Sequence, residues 1–288
     1  MRLAGTVVAA YGRQYRIELA DGTTLLCVPR GKKSELVCGD RVTVQRTSPD
    51  QGVIGALDTR RTLLYRSDNF KQKLIAANVT QVIIVVATEP SFSDELITRC
   101  IVAAESQDIQ VLIVLNKCDL SERLAAATAA LAPYEKLGYR IVRLSARQNG
   151  TLLLPCLAGH TSLLIGQSGM GKSTLINALV PGAAAPTREI SQALHTGKHT
   201  TTHASLYRPS ADSALIDSPG LTEFGLHHLS SEEIAHAFIE LRPLLGHCRF
   251  RNCRHDHEPD CRVLAAVCHG DIDPRRYAAF RSLCAEIG

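Results

Sequence analysis

Gly166-Gln167-Ser168-Gly169-Met170-Gly171-Lys172-Ser173 is the stretch on which the reading of this 288-residue chain turns. It has the form G-x-x-x-x-G-K-S, and its context is right: the apolar run Ser162 to Ile165 reads as a strand entering it, and a helical pattern leaves it from Lys172. The glycines let backbone N–H groups turn inward around a phosphate chain, at a helix N-terminus whose dipole favours anions. Lys172 is then placed to reach the β- and γ-phosphates and the Ser173 hydroxyl to ligate Mg²⁺.

Working outward, apolar strands are expected at 82–87, 110–115, 139–144, 161–165 and 213–217, and helices near 94–106, 121–137, 172–180 and 230–241. Alternating buried strands and amphipathic helices predict a largely parallel sheet covered on both faces, an α/β domain. Downstream of the phosphate loop, Asp217-Ser218-Pro219-Gly220 follows the strand Ala214-Leu215-Ile216. An acidic residue there is where the second Mg²⁺ contact is expected, and Gly220 can offer its amide to a γ-phosphate.

The base is indicated upstream. Asn116-Lys117-Cys118-Asp119 closes the strand Val111 to Leu115, and Ser145-Ala146 follows the strand Arg140 to Leu144. Guanine presents N1–H and an exocyclic amine as a donor pair that the Asp119 carboxylate can accept bidentately, and adenine has no such pair. Lys117 can pack along the base plane, Asn116 can tie its loop to the phosphate loop, and the Ala146 amide can contact guanine O6. GTP is therefore expected over ATP. Most GTPases run phosphate loop, Asp-x-x-Gly, Asn-Lys-x-Asp, Ser-Ala; here the last two come first, a circular permutation. A parallel sheet tolerates it because each motif needs only the C-terminal edge of its strand.

Between the phosphate loop and Asp217 lies Gly197-Lys198-His199-Thr200-Thr201-Thr202. One threonine, Thr201 being preferred among three, should close over Mg²⁺ and the γ-phosphate. After Gly220 stands Leu221, which cannot orient water as glutamine does there in many GTPases. His199 is the candidate for that task, against the plain reading of a solvated loop histidine.

Further on, Cys248-x₄-Cys253-x-His255-x₅-Cys261 supplies three thiolates and an imidazole within fourteen residues. Such a set suits one tetrahedral, structural Zn²⁺, with His247 and His257 as competing ligands. The segment has too few apolar residues to fold alone, so metal is expected to supply much of its folding energy. Arg249, Arg251 and Arg254 stud the same loop, as in an RNA-facing zinc knuckle. A helix-like stretch from Pro274 to Ile287 follows.

At the other end, short alternating runs punctuated by glycines over 1–57 predict a small β-barrel of the oligonucleotide-binding (OB) type. Residues 1–73 hold thirteen Lys/Arg against seven Asp/Glu, so +6 of charge sits there and the rest sums to −2 of the overall +4. That asymmetry predicts a polyanionic partner, with Arg30, Lys32 and Lys33 able to reach phosphates. The expected domains are a barrel over 1–58, a linker over 59–78, a permuted GTPase domain over 79–241 and a zinc-binding domain over 242–288. No apolar run is of membrane-spanning length and the N-terminus lacks a signal-peptide pattern, so a cytoplasmic protein is expected, its ten cysteines thiols or metal ligands.

These motifs together resemble the ribosome small subunit-dependent GTPase A family, the circularly permuted GTPases of bacterial small-subunit biogenesis. The likeness rests on Arg30-Gly31-Lys32, Gly39-Asp40-Arg41-Val42, Asn116 to Asp119, Gly166 to Thr174, His199 to Thr202, Asp217 to Gly220, Cys253-Arg254-His255, Glu258 to Cys261 and Arg276-Tyr277. It implies binding to the 30S ribosomal subunit and contact with 16S rRNA through barrel and zinc domain; a monomer is expected. It also implies GTP hydrolysis to GDP, stimulated by that particle, in late maturation. A GTP-gated RNA-binding module with negligible turnover is the alternative, and phosphate release with and without small subunits separates the two.

Overall fold

A computed structural model describes residues 2–31, 35–67, 72–183, 185, 204–218 and 225–287. Its centre is a mostly parallel sheet. In chain order the relevant strands are β8 (Gln81–Ala87), β9 (Gln110–Asn116), β10 (Arg140–Arg143), β11 (Thr161–Ile165), β12 (Ser205–Ser210) and β13 (Ser213–Asp217). They lie in the order β10-β9-β8-β11-β13-β12, all parallel except the antiparallel β12.

β8 reads as seven consecutive buried residues because both faces of the sheet are covered. Side chains alternate between faces. Val82, Ile84 and Val86 join a core with the helices α1 (Asp94–Glu105) and α2 (Ser121–Lys136). Ile83, Val85 and Ala87 join the opposite core, with α3 (Leu154–Leu157) and α4 (Lys172–Leu179). Ser93 caps α1, its side chain accepting from the Leu96 amide. The helix expected over 230–241 is shorter: α5 (Ser231–Ala237) opens on a Ser230–Glu233 capping box and ends where Phe238 turns to φ −85°, ψ 98° and buries its ring.

The N-terminal strands β1 (Arg2–Tyr11), β2 (Gln14–Leu19), β3 (Thr24–Pro29), β4 (Arg41–Arg46) and β5 (Gln51–Leu57) close a five-stranded barrel in the order β1-β2-β3-β5-β4-β1, with β3 and β5 parallel. Each strand alternates in burial, as a small closed barrel requires, around Val7, Ile17, Leu25, Val42 and Ile54. The barrel joins the central sheet through the pairing of Ala9 with Ser205, so one eleven-stranded sheet runs through both parts.

The seam is tightened by Asp40, fully buried and gripped by Arg60 through two hydrogen bonds of 2.7 and 2.9 Å. Beside it Gly39 sits at φ +91°, where a Cβ would collide with the Ala77 carbonyl. The stretch 59–78 holds a hairpin, β6 (Leu63–Ser67) and β7 (Gln72–Ala77). Two further helices, α6 (Arg262–His269) and α7 (Pro274–Ile287), carry Val263, Ala266, Phe280 and Leu283 into the same core as α1. Among the described residues no helix is long and apolar enough to cross a membrane.

Candidate nucleotide site and metal centre

Parallel pairing brings the motif-bearing strand ends to one edge of the sheet. Arg143 is level with Leu115, Asn116 with Ala87, Ile84 with Ile165 and Leu164 with Asp217. The loops after β9, β10 and β11, and Asp217 itself, therefore come together beyond the C-terminal ends of the strands, where the crevice of such a sheet lies.

Asn116 is the knot of that crevice. Its side chain is buried; Nδ2 donates to the Met170 carbonyl of the phosphate loop at 2.9 Å. Its Oδ1 accepts from the Lys117 amide and from the Ala146 amide, both at 2.8 Å. One carboxamide thus joins three loops. Gly171 stands at φ +88° with the Asn116 amide where a Cβ would be, so any other residue would push the loops apart. Ser145 is held in turn by Asn149, whose Oδ1 accepts its amide at 2.7 Å. Asn149 was not singled out from sequence; a polar residue ending a short turn was the available signal. Cys118 is held by its amide to the Leu144 carbonyl at 3.1 Å, while Asp119 follows in the same turn.

In the phosphate loop, Gly166, Gln167, Ser168, Gly169, Met170 and Gly171 lead into α4, whose first turn carries Lys172, Ser173 and Thr174. The Lys172 amine donates to the Gly166 carbonyl and, at 3.1 Å, to that of Gln167. Burial lowers the affinity of Lys172 for its proton, opposed by the charge of Asp217; burial likewise raises the Asp217 carboxyl, opposed by Lys172. Asp217 Oδ1 is buried without a hydrogen-bond partner among the described residues. A buried carboxylate oxygen with no donor suits a cation, and hard oxygen donors such as Asp217 and the Ser173 hydroxyl suit Mg²⁺. Thr201, His199, Gly220 and Leu221 lie outside the described residues.

The four soft donors at the other end do converge. The ligand atoms of Cys248, Cys253, His255 and Cys261 all lie within 4.8 Å of one another. Cys248 Sγ is 3.8 Å from Cys261 Sγ and 3.6 Å from His255 Nδ1, which is 3.4 Å from Cys261 Sγ. Zn–S bonds of about 2.3 Å and Zn–N bonds of about 2.0 Å at tetrahedral angles put two sulfurs about 3.8 Å apart and sulfur and nitrogen about 3.5 Å apart. The side chains therefore fit one zinc ion. His247 and His257 are not among the converging donors. The chain is bent to this geometry by two left-handed residues, His255 and Asp260, both at φ 58°. Glu258 holds the bend by accepting the amides of Arg254 (2.7 Å), Asp256 (2.9 Å) and His257 (3.2 Å), which pulls its carboxyl down to about 2. Tyr277 of α7 donates its hydroxyl to the His255 carbonyl at 2.8 Å, tying the centre to the last helix.

Comparison with known proteins agrees with this arrangement. A family model described as RsgA GTPase matches residues 57–227. A "Small ribosomal subunit biogenesis GTPase RsgA" of Burkholderia pseudomallei is 53% identical, with 99% of this chain and 92% of that protein aligned. A protein of the same description from Nitrosospira multiformis is 52% identical, over 99% and 91%. Among solved structures, YjeQ from Thermotoga maritima superposes with a TM-score of 0.78 at 30% identity, covering 100% of this chain and 99% of that one. YloQ, described as a circularly permuted GTPase, has the same fold, with a TM-score of 0.74 at 23% identity over 100% and 95%.

Proposed function

This chain belongs to the RsgA GTPase family, and on that premise we propose that it hydrolyses GTP on the small ribosomal subunit during the subunit's maturation. The observation that carries the reading is the knot at Asn116, which assembles phosphate loop, Asn-Lys-x-Asp turn and Ser-Ala loop into one crevice despite their permuted order.

In this reading the guanine base lies between the Lys117 stem and the Asp119 carboxylate, with the Ala146 amide toward O6. Gly166 to Thr174 surround the phosphates, and Lys172 gives up its loop-carbonyl partners to the β- and γ-phosphates. Ser173 and Asp217 would hold Mg²⁺, which when bound neutralises charge developing on the transferred phosphoryl. Thr201 and Gly220 are proposed for the γ-phosphate side and His199 for orienting water. Cys248, Cys253, His255 and Cys261 would hold one structural zinc.

The partner follows from the relatives' description together with the charge layout. The +6 of residues 1–73 and the exposed Arg249, Arg251 and Arg254 on the zinc loop are the groups proposed to meet 16S rRNA. The protein is proposed to act in the cytoplasm as a monomer, and its four parts to be those delimited from sequence.

The test is phosphate release from GTP by the purified protein alone, with 30S and with 50S particles. Slow hydrolysis accelerated by 30S only, with ATP failing to compete, is expected. Equal rates with and without 30S would overturn the ribosomal part, and negligible turnover in all arms would leave a GTP-gated binding module.

A further inference from the structure

Lys117 and Asp119 are useful to a base only if the turn that carries them is held still, and Lys117 adopts φ +59°, a conformation a side-chain-bearing residue keeps only when its surroundings hold it there. Part of that hold is internal, since the Leu120 amide donates to the Lys117 carbonyl at 3.0 Å. The rest comes from the end of β8. Ala87 pairs with Asn116 as the last residue of the parallel ladder. The next residue, Thr88, has its amide on the Asn116 carbonyl at 3.1 Å and its hydroxyl on the Lys117 carbonyl at 2.9 Å. Thr88 is 4% exposed, so its hydroxyl works away from competing water. The contact is returned one residue on, where Lys117 Nζ donates to the Glu89 carbonyl at 2.7 Å. Asn116 thus fastens the turn to the phosphate loop with its side chain, and Thr88 fastens it from the β8 side at two successive carbonyls.

We propose that Thr88 is a positioning residue for guanine recognition, holding Lys117 in its left-handed conformation so that Asp119 faces the base. The proposal rests on the guanine-nucleotide reading above and adds a residue that no motif contains. Without the hydroxyl, Lys117 can relax to negative φ, and the carboxylate two residues on swings with it.

The experiment uses the full-length protein and fluorescent GTP, GDP, XTP and ATP, comparing wild type, Thr88→Val and Thr88→Ser. Valine keeps the shape and removes the donor, whereas serine keeps the donor. Thr88→Val is expected to bind GTP and GDP about fivefold more weakly, the worth of one ordinary hydrogen bond, through faster dissociation. Its kcat with 30S at saturating GTP stays within twofold of wild type, and Thr88→Ser binds like wild type. Thermal unfolding without nucleotide is recorded in parallel. A lower Tm for Thr88→Val with unchanged nucleotide affinity would show a purely structural role and overturn the proposal, as would equal loss in the valine and serine variants. Should Thr88→Val not fold, Thr88→Cys, with its weaker donor, is read by the same criteria. Wild-type protein that fails to prefer GTP over ATP would instead overturn the functional reading, and this proposal with it.

Discussion

Arg276 on the last helix meets Glu240 at 2.7 Å with the two side chains 3% and 5% exposed. The same guanidinium donates to Thr98 of α1 at 3.1 Å and lies over the Phe238 ring, 4.4 Å from its centroid. A charge pair taken this far from water persists only because both partners are present, and here a further acceptor and the aromatic rings complete the shell of the guanidinium. The last helix, α7, is therefore fastened to α1 and to the turn that follows α5.

Arg276→Ala is expected to destabilise the protein by about 3–5 kcal/mol, because it leaves Glu240 buried without a partner. Replacing both, Arg276→Met with Glu240→Leu, should restore most of that. Denaturant unfolding of the three proteins checks it, and a loss in the double variant as large as in the single one would show that packing rather than charge is at stake.

Asp119→Asn should lose GTP affinity, since its amide donates where guanine also donates, and gain affinity for XTP, whose 2-oxo group accepts. Titration with both nucleotides measures this. Unchanged GTP binding without a gain for XTP would remove Asp119 from the base site.

Purified protein should hold about one zinc per chain, as four converging ligands imply. Cys253→Ala or His255→Ala should lose it, and chelation should unfold residues 248–261 while raising thiol reactivity there. Metal analysis with chelator titration gives the answer; a segment that stays folded without metal would show that Glu258 and Tyr277 suffice to hold the loop.

Burial raises the thiols of Cys27 to about 11 and Cys38 to about 12. For Cys38 the thiolate is then on the order of one part in 10⁴ at pH 8, and its share still rises tenfold per pH unit up to about pH 11. Alkylation of the zinc-loaded protein at pH 8 should label exposed Cys268 first and leave Cys27 and Cys38 untouched, with Cys38 labelling still climbing at pH 10. Mass mapping of the alkylated peptides would expose a mistake if Cys38 reacted as fast as Cys268 at pH 8.

The motifs of the proposed site, and the family they point to, were legible in short stretches whose chemistry is local. Gly166 to Ser173, Asn116 to Asp119 and Cys248 to Cys261 each carry their meaning in spacing alone, because a phosphate loop, a base-reading turn and a metal loop are built within one run of chain. The barrel's alternation and the buried strands were readable for the same reason: side-chain direction repeats every two residues. Three things depended on the tertiary structure. Asn116 joins Met170 and Ala146 across 54 and 30 residues, Thr88 braces Lys117 from a neighbouring strand, and Arg276 finds Glu240 and Thr98 in a shared core. These partners are distant in sequence, and no local pattern records a distant partner; parallel strand pairing and helix packing place them within hydrogen-bonding distance only once the chain has folded.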